Sequence, residues 1–580
     1  MQRALGGEVV AAMLAKEGVE KVFGIVDGTY LGLYASFKKY GIELVSPRHE
    51  TSAAHMAGAY ARLTGKLGVC IASNGPGVAN ILPGIAVENG EGNRVLVITS
   101  SRRQGITYPD RGGTFQYFDQ VAVTRPMTKW SGSAATFERI PEVMRRAFRV
   151  AHRGRPGVVH VDVPENVMNG AYDLEPLALR EPHEYRRTDA IAPPGVVVKQ
   201  IADLLRGAER PLIHAGSGVV HAQAFEALKQ VAEALQAPVS TSWGGRGALP
   251  EQHALSLPVS AMEAQNQART SADVVLVIGS RLGETDWWGK PPYWGRVGEQ
   301  RFIQVDLDEE ILGLNRPTEL AVQADAKAFL EALAAELAKT PAKTSGRKAW
   351  LDSISETKKK TRGELDVALQ NDATPMHPAH VPATVRRMVP DDTVIVADGG
   401  NTVVWTQFFS DVRTPNTLLG TFKLGMLGAG VGQALGAQVA HPERRVVCIL
   451  GDGAMGFHCQ ELETAVRHEL PVVFVVLCDK QWGMVKLTQQ FALGTAREVI
   501  GVEDQGTINT DFHEVRFDDL ARSMGAHGER VAAPGELEAA LARAFAAKKA
   551  AVVHVDVDPM LHLWAPGLQA FKDMHQEPAG

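Results

Sequence analysis

Cysteines and long apolar runs are scarce in this chain. It has 4 cysteines among 580 residues, at positions 70, 448, 459 and 478, and none belongs to a CxxC pair. This usage is typical of reduced core thiols and argues against a disulfide framework. No apolar run approaches membrane-spanning length, and the residues after Met1 lead into a helix-like pattern instead of a signal peptide. We therefore expect a soluble, cytoplasmic protein with no membrane partner.

A strong charge of either sign is lacking as well. The chain has 60 Lys and Arg against 66 Asp and Glu, a net charge of −6, with no large basic block, which argues against nucleic acid as a partner. What it does have is a hydrophobic content of 45% and 57 glycines, a composition typical of α/β proteins. Its length is too great for one hydrophobic core, so we expect three domains.

Short apolar segments alternate with helical patterns along the first part of the chain. Five strands are predicted there, at residues 22–25, 42–45, 67–72, 95–99 and 157–163. Apolar strands separated by helices indicate a parallel sheet covered on both faces. Near the other end, residues 551–557 (AVVHVDV) repeat residues 157–163 (GVVHVDV) almost letter for letter. This repeat suggests related domains at the two ends of the chain.

Two polar segments, 170–194 and 339–375, divide the chain into three blocks. The middle block has strand patterns of its own at residues 211–216, 274–279 and 302–306. The predicted fold class is therefore α/β, with three doubly wound parallel-sheet domains. Their expected bounds are 1–170, 190–340 and 375–560, followed by a tail at 561–580.

Residues 446–484 form the most informative stretch. An apolar strand at 446–450 ends in a Gly-Asp-Gly turn, a helical pattern follows, and a second strand at 472–477 leads to Asp479. In such a βαβ unit Asp452 and Asp479 converge at the carboxyl ends of two parallel strands. Two carboxylates there suit Mg²⁺ and a diphosphate, which the glycines and the helix amino terminus would help to bind. The alternative is a tight turn and a strand-end cap.

The same stretch resembles the metal-diphosphate signature of thiamine diphosphate enzymes. That signature usually ends in Asn-Asn, whereas this chain has Cys478-Asp479, a departure that keeps an oxygen ligand but adds negative charge. The resemblance implies that Asp452, Asp479 and the main-chain carbonyl of Gln481 bind Mg²⁺.

A second motif lies in the first block. Arg48-His49-Glu50 precedes a helix rich in small residues, and 75–77 (GPG) and Asn80 follow. A glutamate at such a turn is ordinarily a capping residue. The whole arrangement, however, resembles the pyrimidine-binding half of acetolactate synthase-like enzymes, and it implies that Glu50 contacts the aminopyrimidine ring of the cofactor as a catalytic group.

The resemblance extends to three further segments, 398–401 (DGGN), 425–428 (GMLG) and 482–484 (WGM). Either Met426 or Leu427 would hold the cofactor in its bent shape, with core packing as the alternative for both. Across the motifs, the implied cofactor-binding residues are Gly75, Asp398, Gly399, Gly400, Asn401, Gly425, Met426, Leu427, Gly451, Asp452, Gly453, Ala454, Trp482, Gly483 and Met484. The three domains would then be pyrimidine-binding, central and diphosphate-binding.

By this resemblance the chain is expected to be a thiamine diphosphate- and Mg²⁺-dependent carbon-carbon lyase or carboligase that acts on small 2-oxo acids or 2-hydroxy ketones. Gln116 is the candidate for a polar group directed at the substrate. A homodimer or homotetramer with active sites at the subunit interface is implied. The alternatives are a 2-hydroxyacyl-CoA lyase or oxalyl-CoA decarboxylase-like enzyme, for which Arg102-Arg103 or residues 564–580 are the candidates to bind CoA phosphates, and a non-catalytic nucleotide-binding regulatory protein.

The central block offers a second candidate site. Glycine turns at 216–218 and 279–281 follow apolar strands, and Asp306 ends a third strand. Such a set can hold a nucleotide, here FAD or ADP, or can be structural. Asp27 or Tyr30, after the first strand, could join Gln116 at the substrate, and Lys486 and the Trp287-Trp288 pair could shape the mouth of the site, with a structural role as the alternative for each.

Overall fold

Three six-stranded parallel sheets form the framework of the protein, and the computed structural model describes residues 2–175, 179–503 and 506–573. The strands of the first sheet, together with a separate antiparallel pair (β1 and β8), are β1 Gln2–Leu5, β2 Lys21–Gly24, β3 Glu43–Val45, β4 Gly68–Ala72, β5 Val95–Ser101, β6 Trp130–Ser133, β7 Val158–Pro164 and β8 Ala171–Leu174. The central strands are β9 Pro211–Ala215, β10 Val239–Thr241, β11 Ser256–Leu257, β12 Val274–Ile278, β13 Arg301–Asp306 and β14 Leu320–Gln323. The third sheet comprises β15 Val394–Asp398, β16 Leu418–Leu419, β17 Val446–Gly451, β18 Val473–Cys478, β19 His527–Val531 and β20 Ala551–Asp556.

Helices cover these sheets. Those of the first domain are α1 Gly6–Lys16, α2 Leu31–Phe37, α3 Glu50–Thr64, α4 Pro76–Glu91, α5 Gln104–Thr107, α6 Gln120–Thr124, α7 Ile140–His152 and α8 Glu165–Asn169. The central domain and the segment after it contain α9 Gly195–Gly207, α10 Ser217–His221, α11 Phe225–Leu235, α12 Met262–Ser271, α13 Ala326–Lys339 and α14 Lys348–Asp366. The third domain contains α15 His380–Met388, α16 Asn401–Phe409, α17 Ala429–Ala440, α18 Asp452–His458, α19 Glu461–Arg467, α20 Gly483–Ile500, α21 Phe517–Ser523, α22 Pro534–Ala546, α23 Pro559–Leu563 and α24 Leu568–Asp573.

The strand orders confirm the predicted α/β fold class. The first sheet runs β3-β2-β4-β5-β7-β6 and the third runs β16-β15-β17-β18-β20-β19, so both have the relative order 2-1-3-4-6-5. The strands with the repeated sequence, β7 and β20, hold the same place in the two sheets. The central sheet runs β11-β10-β9-β12-β13-β14, the relative order 3-2-1-4-5-6 of dinucleotide-binding folds.

The inner strands of each sheet are buried on both faces, which explains why the sequence pattern predicted them. All seven residues of β7 are buried, and separate apolar clusters lie on the two faces of each sheet. Such strands are near-continuous apolar runs. The strands that the patterns missed, β6, β10, β11, β14, β16 and β19, have two to five residues each, and most lie at or next to a sheet edge. The exact domain bounds stay predictions.

The amino terminus differs from the expected helix-like start. Residues of β1 pair antiparallel with β8, and α1 begins only at Gly6. Part of the segment predicted as a linker, 170–194, therefore belongs to a strand, while its residues 176–178 lie outside the described chain. A two-strand pair of four residues each carries too short a pattern for sequence reasoning to detect. The second predicted linker, 339–375, contains the long helix α14 over which it was expected to run.

The first and third domains pack together through α3 and α17. One buried apolar cluster contains side chains from both helices, and small residues allow the close approach: a Cβ atom on Gly436 would lie 2.4 Å from the carbonyl oxygen of Met56. Beside this contact His55 Nδ1 lies 2.7 Å from the carboxylate of Glu88, and both side chains are fully buried. Within the described residues, no helix has the length and apolar character that crossing a membrane requires.

We expect the substitution Gly58→Ala to destabilise the protein by about 3 kcal/mol or more. A Cβ atom there would lie 1.7 Å from Glu88 Oε2, so it would displace a buried carboxylate from its partners His55 and Asn93. Chemical denaturation of the folded chain measures the effect. Gly363→Ala is the matched control, because its Cβ atom meets open space in α14; it should stabilise by about 0.5–1 kcal/mol. Equal effects of the two substitutions would contradict this account.

Candidate functional site

Asp452 begins α18 directly after β17 and is held by main-chain donors. The N–H of Gly453 donates to Asp452 Oδ1 at 2.7 Å, and the N–H of Lys480 donates to Oδ2 at 2.7 Å. Burial, and then the negative charge of Asp479, raise the pKa of Asp452 to about 6. The amide of Gly453 therefore binds the aspartate itself, and only the amides that follow it in α18 correspond to the helix amino terminus predicted to bind a diphosphate.

Asp479 follows β18 and is buried. His562 Nδ1 donates to Asp479 Oδ2 at 2.6 Å, and the side-chain amide of Gln481 donates from Nε2 to the same oxygen at 3.1 Å. The other ring nitrogen of His562 lies 3.2 Å from the hydroxyl of Thr402. Sequence reasoning missed His562, because it lies 83 residues from Asp479 in the segment predicted as a tail. That segment is packed in its described part, with Leu563 and Ala565 buried; residues 574–580 lie outside the described chain.

The main chain of Gln481 forms a short bridge with a neighbouring segment. An antiparallel bridge pairs Gln481 with Asp511, and its hydrogen bonds run from Trp482 N to Thr510 O and from Phe512 N to Lys480 O. The bridge therefore does not engage the Gln481 carbonyl group. Across residues 2–175, 179–503 and 506–573, no group of three His, Cys, Asp or Glu side chains forms a metal cluster. Any cation site here thus combines two carboxylates with main-chain or ligand oxygens.

Asn401, the first residue of α16, has an unusual environment. Its side chain is only 3% exposed, and neither Oδ1 nor Nδ2 has a hydrogen-bond partner within the described chain. A Cβ atom on Gly483 would lie 2.8 Å from Asn401 Nδ2 and 3.3 Å from Asp479 Oδ2, so the amide lies beside the aspartate. Unpaired buried amides are costly, which indicates that a ligand completes this site.

Glycines keep the surroundings of the two aspartates open. A side chain on Gly453 would begin 2.7 Å from the ring of Trp482, and one on Gly400 would begin 3.1 Å from Met484. Gly399 has a φ of +104° and lies against the main chain of Gly451. The predicted residues Gly399, Gly400, Asn401, Gly451, Asp452, Gly453, Asp479, Gln481, Trp482, Gly483 and Met484 thus converge at the carboxyl ends of β15, β17 and β18.

The remaining third-domain candidates divide by environment. Both carboxylate oxygens of Asp398 accept main-chain N–H groups, from Gly399 at 2.6 Å and Gly430 at 2.7 Å, so its side chain anchors α17; burial raises its pKa to about 6. Ala454 is buried in the core. Leu427 packs against the apolar cluster shared with the first domain. Met426 is partly buried, and its carbonyl oxygen accepts a hydrogen bond from the Thr421 hydroxyl. Gly425 is exposed and has a φ of +66°.

Glu50 is the first residue of α3 and is 9% exposed. Asn80 Nδ2 donates to Glu50 Oε2 at 3.1 Å, and a Cβ atom on Gly77 would lie 3.4 Å from Oε1. The N–H of Gly75 donates to Gln120, and a Cβ atom there would collide with Gln116. Gln116 itself is exposed and has a left-handed φ of +55°.

Several other candidates lie elsewhere or are fully engaged. Tyr30 is buried, and its hydroxyl donates to the carbonyls of Ala72 and Ile98. Asp27 accepts from Thr29, and Lys486 pairs with Asp511 at 2.6 Å. Trp287 is buried and stacks on Tyr293 with ring centroids 4.0 Å apart, so it does not form an exposed mouth.

The Glu50 group and the Asp452 group form two separate half-sites in one chain. The residues just before Glu50 nevertheless contact the third domain: the N–H of Arg48 donates to Glu461 at 3.0 Å, and the rings of His49 and His458 lie 5.3 Å apart. A third site, in the central domain, is a cavity of about 200 Å³. Its walls include the predicted glycine turns at Gly218 and Gly279 together with Asp306.

Comparison with known protein families identifies the architecture. Residues 5–123, 198–333 and 398–555 match, in this order, the N-terminal TPP binding domain, the central domain and the C-terminal TPP binding domain of the thiamine pyrophosphate enzymes. The chain belongs to the thiamine pyrophosphate enzyme family. The Glu50 half-site lies in the matched N-terminal domain, and the Asp452 half-site lies in the C-terminal one, together with His562 just beyond it.

Full-length relatives agree with this assignment. This thiamine pyrophosphate enzyme is 31% identical over 574 residues to the acetolactate synthase large subunit of Haemophilus influenzae, covering 97% of the chain and 96% of that protein. It is 30% identical to a probable acetolactate synthase large subunit of Methanocaldococcus jannaschii, with 96% and 92% covered. It is also 31% identical to a 2-hydroxyacyl-CoA lyase of Arabidopsis thaliana, with 96% of both chains covered.

Proposed function

We propose that this thiamine pyrophosphate enzyme uses Mg²⁺ and thiamine diphosphate to form or cleave a carbon-carbon bond next to a carbonyl group of a 2-oxo acid or 2-hydroxy ketone. The observation that carries the proposal is the Asp452 half-site, where half-buried Asp452 and buried Asp479 lie beside an Asn401 amide without a protein partner among the described residues. The names of the relatives, acetolactate synthase and 2-hydroxyacyl-CoA lyase, support the reaction class. When bound, the cofactor supplies a reactive carbon and an electron sink.

The residues of the Asp452 half-site fit a cation that carries a diphosphate. Asp452, Asp479 and the main-chain carbonyl of Gln481 are the proposed ligands, and Mg²⁺ usually takes one or two carboxylates and fills its other positions with phosphate oxygens and water. His562 and the Gln481 amide both donate to Asp479 Oδ2, which leaves Oδ1 for the metal. His562 therefore acts as a positioning residue. We assign the unpaired Asn401 amide to the cofactor.

Glu50 is the proposed proton-holding group. Asn80 orients Oε2, and Oε1 faces the side of Gly77, where no side chain is present. We propose that Glu50 holds a proton at Oε1 against the pyrimidine ring of the cofactor. As the resemblance to the family implies, we propose that a second copy of the chain completes each active site. Gln116, exposed beside Gly75, is then available to the substrate.

The substrate experiment separates the branches of the family. Protein loaded with Mg²⁺ and thiamine diphosphate would be incubated in turn with pyruvate, benzoin and a 2-hydroxyacyl-CoA, and products followed by chromatography. We expect turnover of at least one of these, and none after Mg²⁺ is removed by a chelator and dialysis. Loaded protein that turns over none of the three would contradict the proposed substrate range.

The CoA-dependent alternative has little support in the first domain. Arg102 and Arg103, the candidates for CoA phosphates, both pair with Glu165, at 3.3 and 2.8 Å, so part of their charge is neutralised. The non-catalytic alternative is disfavoured because Glu50 and Asp479 are buried and Asp452 is half-buried beside Asp479, whereas nucleotide binding alone requires none of them.

We also propose that the central cavity binds a nucleotide, FAD or ADP. The strand order 3-2-1-4-5-6 is typical of dinucleotide-binding domains, and the main chains of Gly218 and Gly279 approach so closely that neither position accommodates a side chain. Arg155 and Arg281 line the cavity with Asp306, whose pKa burial raises to about 6. A visible absorption spectrum of purified protein, and chromatography of nucleotides released by denaturation, would identify the ligand.

A further inference from the structure

The turn at residues 46–49, directly before Glu50, is held by side chains of the third domain. The N–H of Arg48 lies 3.2 Å from Glu461 Oε1 and 3.0 Å from Oε2, and it donates to this carboxylate. Glu461 is the first residue of α19. The hydrogen bond therefore crosses from the third domain to the main chain two residues before Glu50.

The carboxylate of Glu461 is fully buried and faces hydrogen-bond donors. Its side chain is 0% exposed, and the Thr464 hydroxyl donates to Oε2 at 2.6 Å. Burial raises the pKa of Glu461, and the donors of Thr464 and Arg48 act in the opposite direction. A buried polar group is costly when it loses its partner. The position of the Arg48 main chain and that of Glu461 therefore depend on each other.

Further contacts hold the same turn at Ser46 and His49. The N–H of Ser46 donates to His468 Nε2 at 3.2 Å, and its carbonyl oxygen accepts from Arg467 Nη2 at 2.8 Å. Burial, and then the charge of Arg467, lower the pKa of His468, so the ring is neutral at neutral pH and Nε2 can accept. The ring of His49 lies 5.3 Å from that of His458. The turn is thus tied to the third domain at several points.

The third-domain support begins at the metal half-site. Helix α18 begins at Asp452, and only Cys459 and Gln460 separate it from α19. Leu462 and Ala465 of α19 are buried in the apolar cluster that also contains side chains of α3. Because close-packed interiors transmit displacements instead of absorbing them, α19 is a rigid support for the turn.

The side chain of Glu50 accepts one hydrogen bond within the described chain, from Asn80 at Oε2. The place of Oε1 therefore depends on where the main chain at the start of α3 lies. We propose that Glu461 is a positioning residue for Glu50: the Glu461 carboxylate holds the preceding turn so that Oε1 of Glu50 reaches the pyrimidine ring of the cofactor. This role rests on the proposed function, in which Glu50 holds a proton at Oε1. A displacement of about 1 Å in a reacting group can lower a rate by about 100-fold.

Hydrogen–deuterium exchange of the full-length, cofactor-loaded protein, followed by mass spectrometry, tests the hydrogen bond itself. Glu461→Met keeps the length of the side chain and removes both acceptor oxygens. We expect the Arg48 amide to exchange at least about tenfold faster in this variant. Glu461→Gln keeps one oxygen that can accept from Arg48, so its exchange should stay within about threefold of the parent. Unchanged exchange in Glu461→Met would overturn the proposal.

Kinetics show whether Glu461 acts through Glu50. Glu461→Met should lower kcat at least about tenfold, with KM and the affinity for thiamine diphosphate within about threefold of the parent. Glu461→Gln should retain kcat within about threefold, because the contact and not the charge matters. In the Glu50→Gln background, Glu461→Met should change kcat by less than about twofold, because residues that act through one group are not additive.

Two kinetic results would contradict the positioning role. Losses that multiply in the double variant would mean that Glu461 acts independently of Glu50. Equal losses in Glu461→Met and Glu461→Gln would assign the effect to the charge of Glu461. The affinity for thiamine diphosphate, followed by tryptophan fluorescence, distinguishes a variant that has lost its fold from one that has lost only the position of Glu50.

A second variant removes a less buried contact of the turn and applies if Glu461→Met does not fold. His468 is partly exposed, and His468→Phe keeps a ring while removing the acceptor of the Ser46 N–H. We expect faster exchange at Ser46 and a kcat lower by about threefold or more; parental values of both would refute the proposal. Glu469→Gln, at an exposed position just after α19, is the matched control and should behave as the parent does.

The exchange measurement requires no turnover. A parent protein that turns over none of the three substrates would therefore count against the proposed function, whereas the exchange rate at Arg48 would still decide whether Glu461 holds the turn before Glu50.

Discussion

Replacing Glu50 by Gln is expected to lower kcat by about 10²- to 10⁴-fold, the contribution of one positioned acid-base group. Gln retains the size of the side chain and can still be contacted by Asn80, which donates to Glu50 Oε2 in the structure. It cannot, however, gain and lose a proton at Oε1. Steady-state kinetics with the substrate found in the product survey would measure the loss. The cofactor affinity should change far less than kcat.

The control for this substitution is Glu43→Gln, an exposed glutamate of β3 that precedes the same turn and pairs with Lys21. It should keep parental activity. A Glu50→Gln variant with kcat within about twofold of the parent would refute the proton-holding role, since removing such a group typically has a far larger effect.

The proposal that two copies of the chain share each active site gives a further test with the same variant. Glu50→Gln and Asp479→Ala would each inactivate different halves of a site that two copies form together. In mixed dimers one of the two sites is then intact, so co-expression should restore about a quarter of parental activity by random pairing. No recovery, with mixed dimers demonstrated by tagging, would mean that each chain holds a complete site.

Asp479→Ala is expected to have the second large effect, a loss of cofactor affinity of at least about 100-fold in the presence of Mg²⁺. It removes one of two carboxylate ligands and leaves His562 without the oxygen to which it donates at 2.6 Å. Quenching of tryptophan fluorescence is a suitable measurement, because Trp482 lies beside Gly453 in the same half-site. Titrations with Mg²⁺ at a fixed cofactor concentration distinguish weakened metal binding from misfolding of the variant.

Asp479→Asn provides the matched comparison. An amide oxygen can still accept from His562 and contact a metal, and Asn is the residue that resembles the family signature at this place. We expect this variant to retain cofactor binding within about tenfold of the parent, since ligand geometry is kept and only charge is lost. If Ala and Asn at position 479 behaved alike and both retained affinity, Asp479 would have no role in metal binding.

Most of the inner strands could be predicted from the sequence, because a buried strand leaves a local apolar pattern. Buried parallel strands such as β7 and β20 are continuous apolar runs, and their near-identical sequences suggested related domains, in which the two strands hold equivalent places. Short strands such as β16, at a sheet edge, and the β1-β8 pair contain too few residues to show an apolar pattern, so the sequence did not predict them.

The candidate site was accessible in part for the same reason. Asp452 and Asp479 each follow a visible strand, so their convergence followed from the right-handed crossover rule. The same reasoning could not separate Asp398, whose carboxylate is occupied by the N–H groups of Gly399 and Gly430, from residues that face a ligand. Which atoms of a motif are already hydrogen-bonded is a property of three-dimensional contacts.

The sequence alone determined the α/β class, the three sheets and the strand ends at which Asp452 and Asp479 lie, because strand periodicity and turn chemistry act over neighbouring residues. Glu50 was proposed from the resemblance of its motif to the family. Tertiary structure alone decided that His562 contacts Asp479, that Asn401 has a buried amide without a partner among the described residues, and that Glu461 contacts the turn before Glu50. His562 and Asp479 are 83 positions apart in the sequence. The other contacts also join residues that are distant in the sequence or belong to different domains. No local pattern encodes them, since they depend on how the sheets and helices pack.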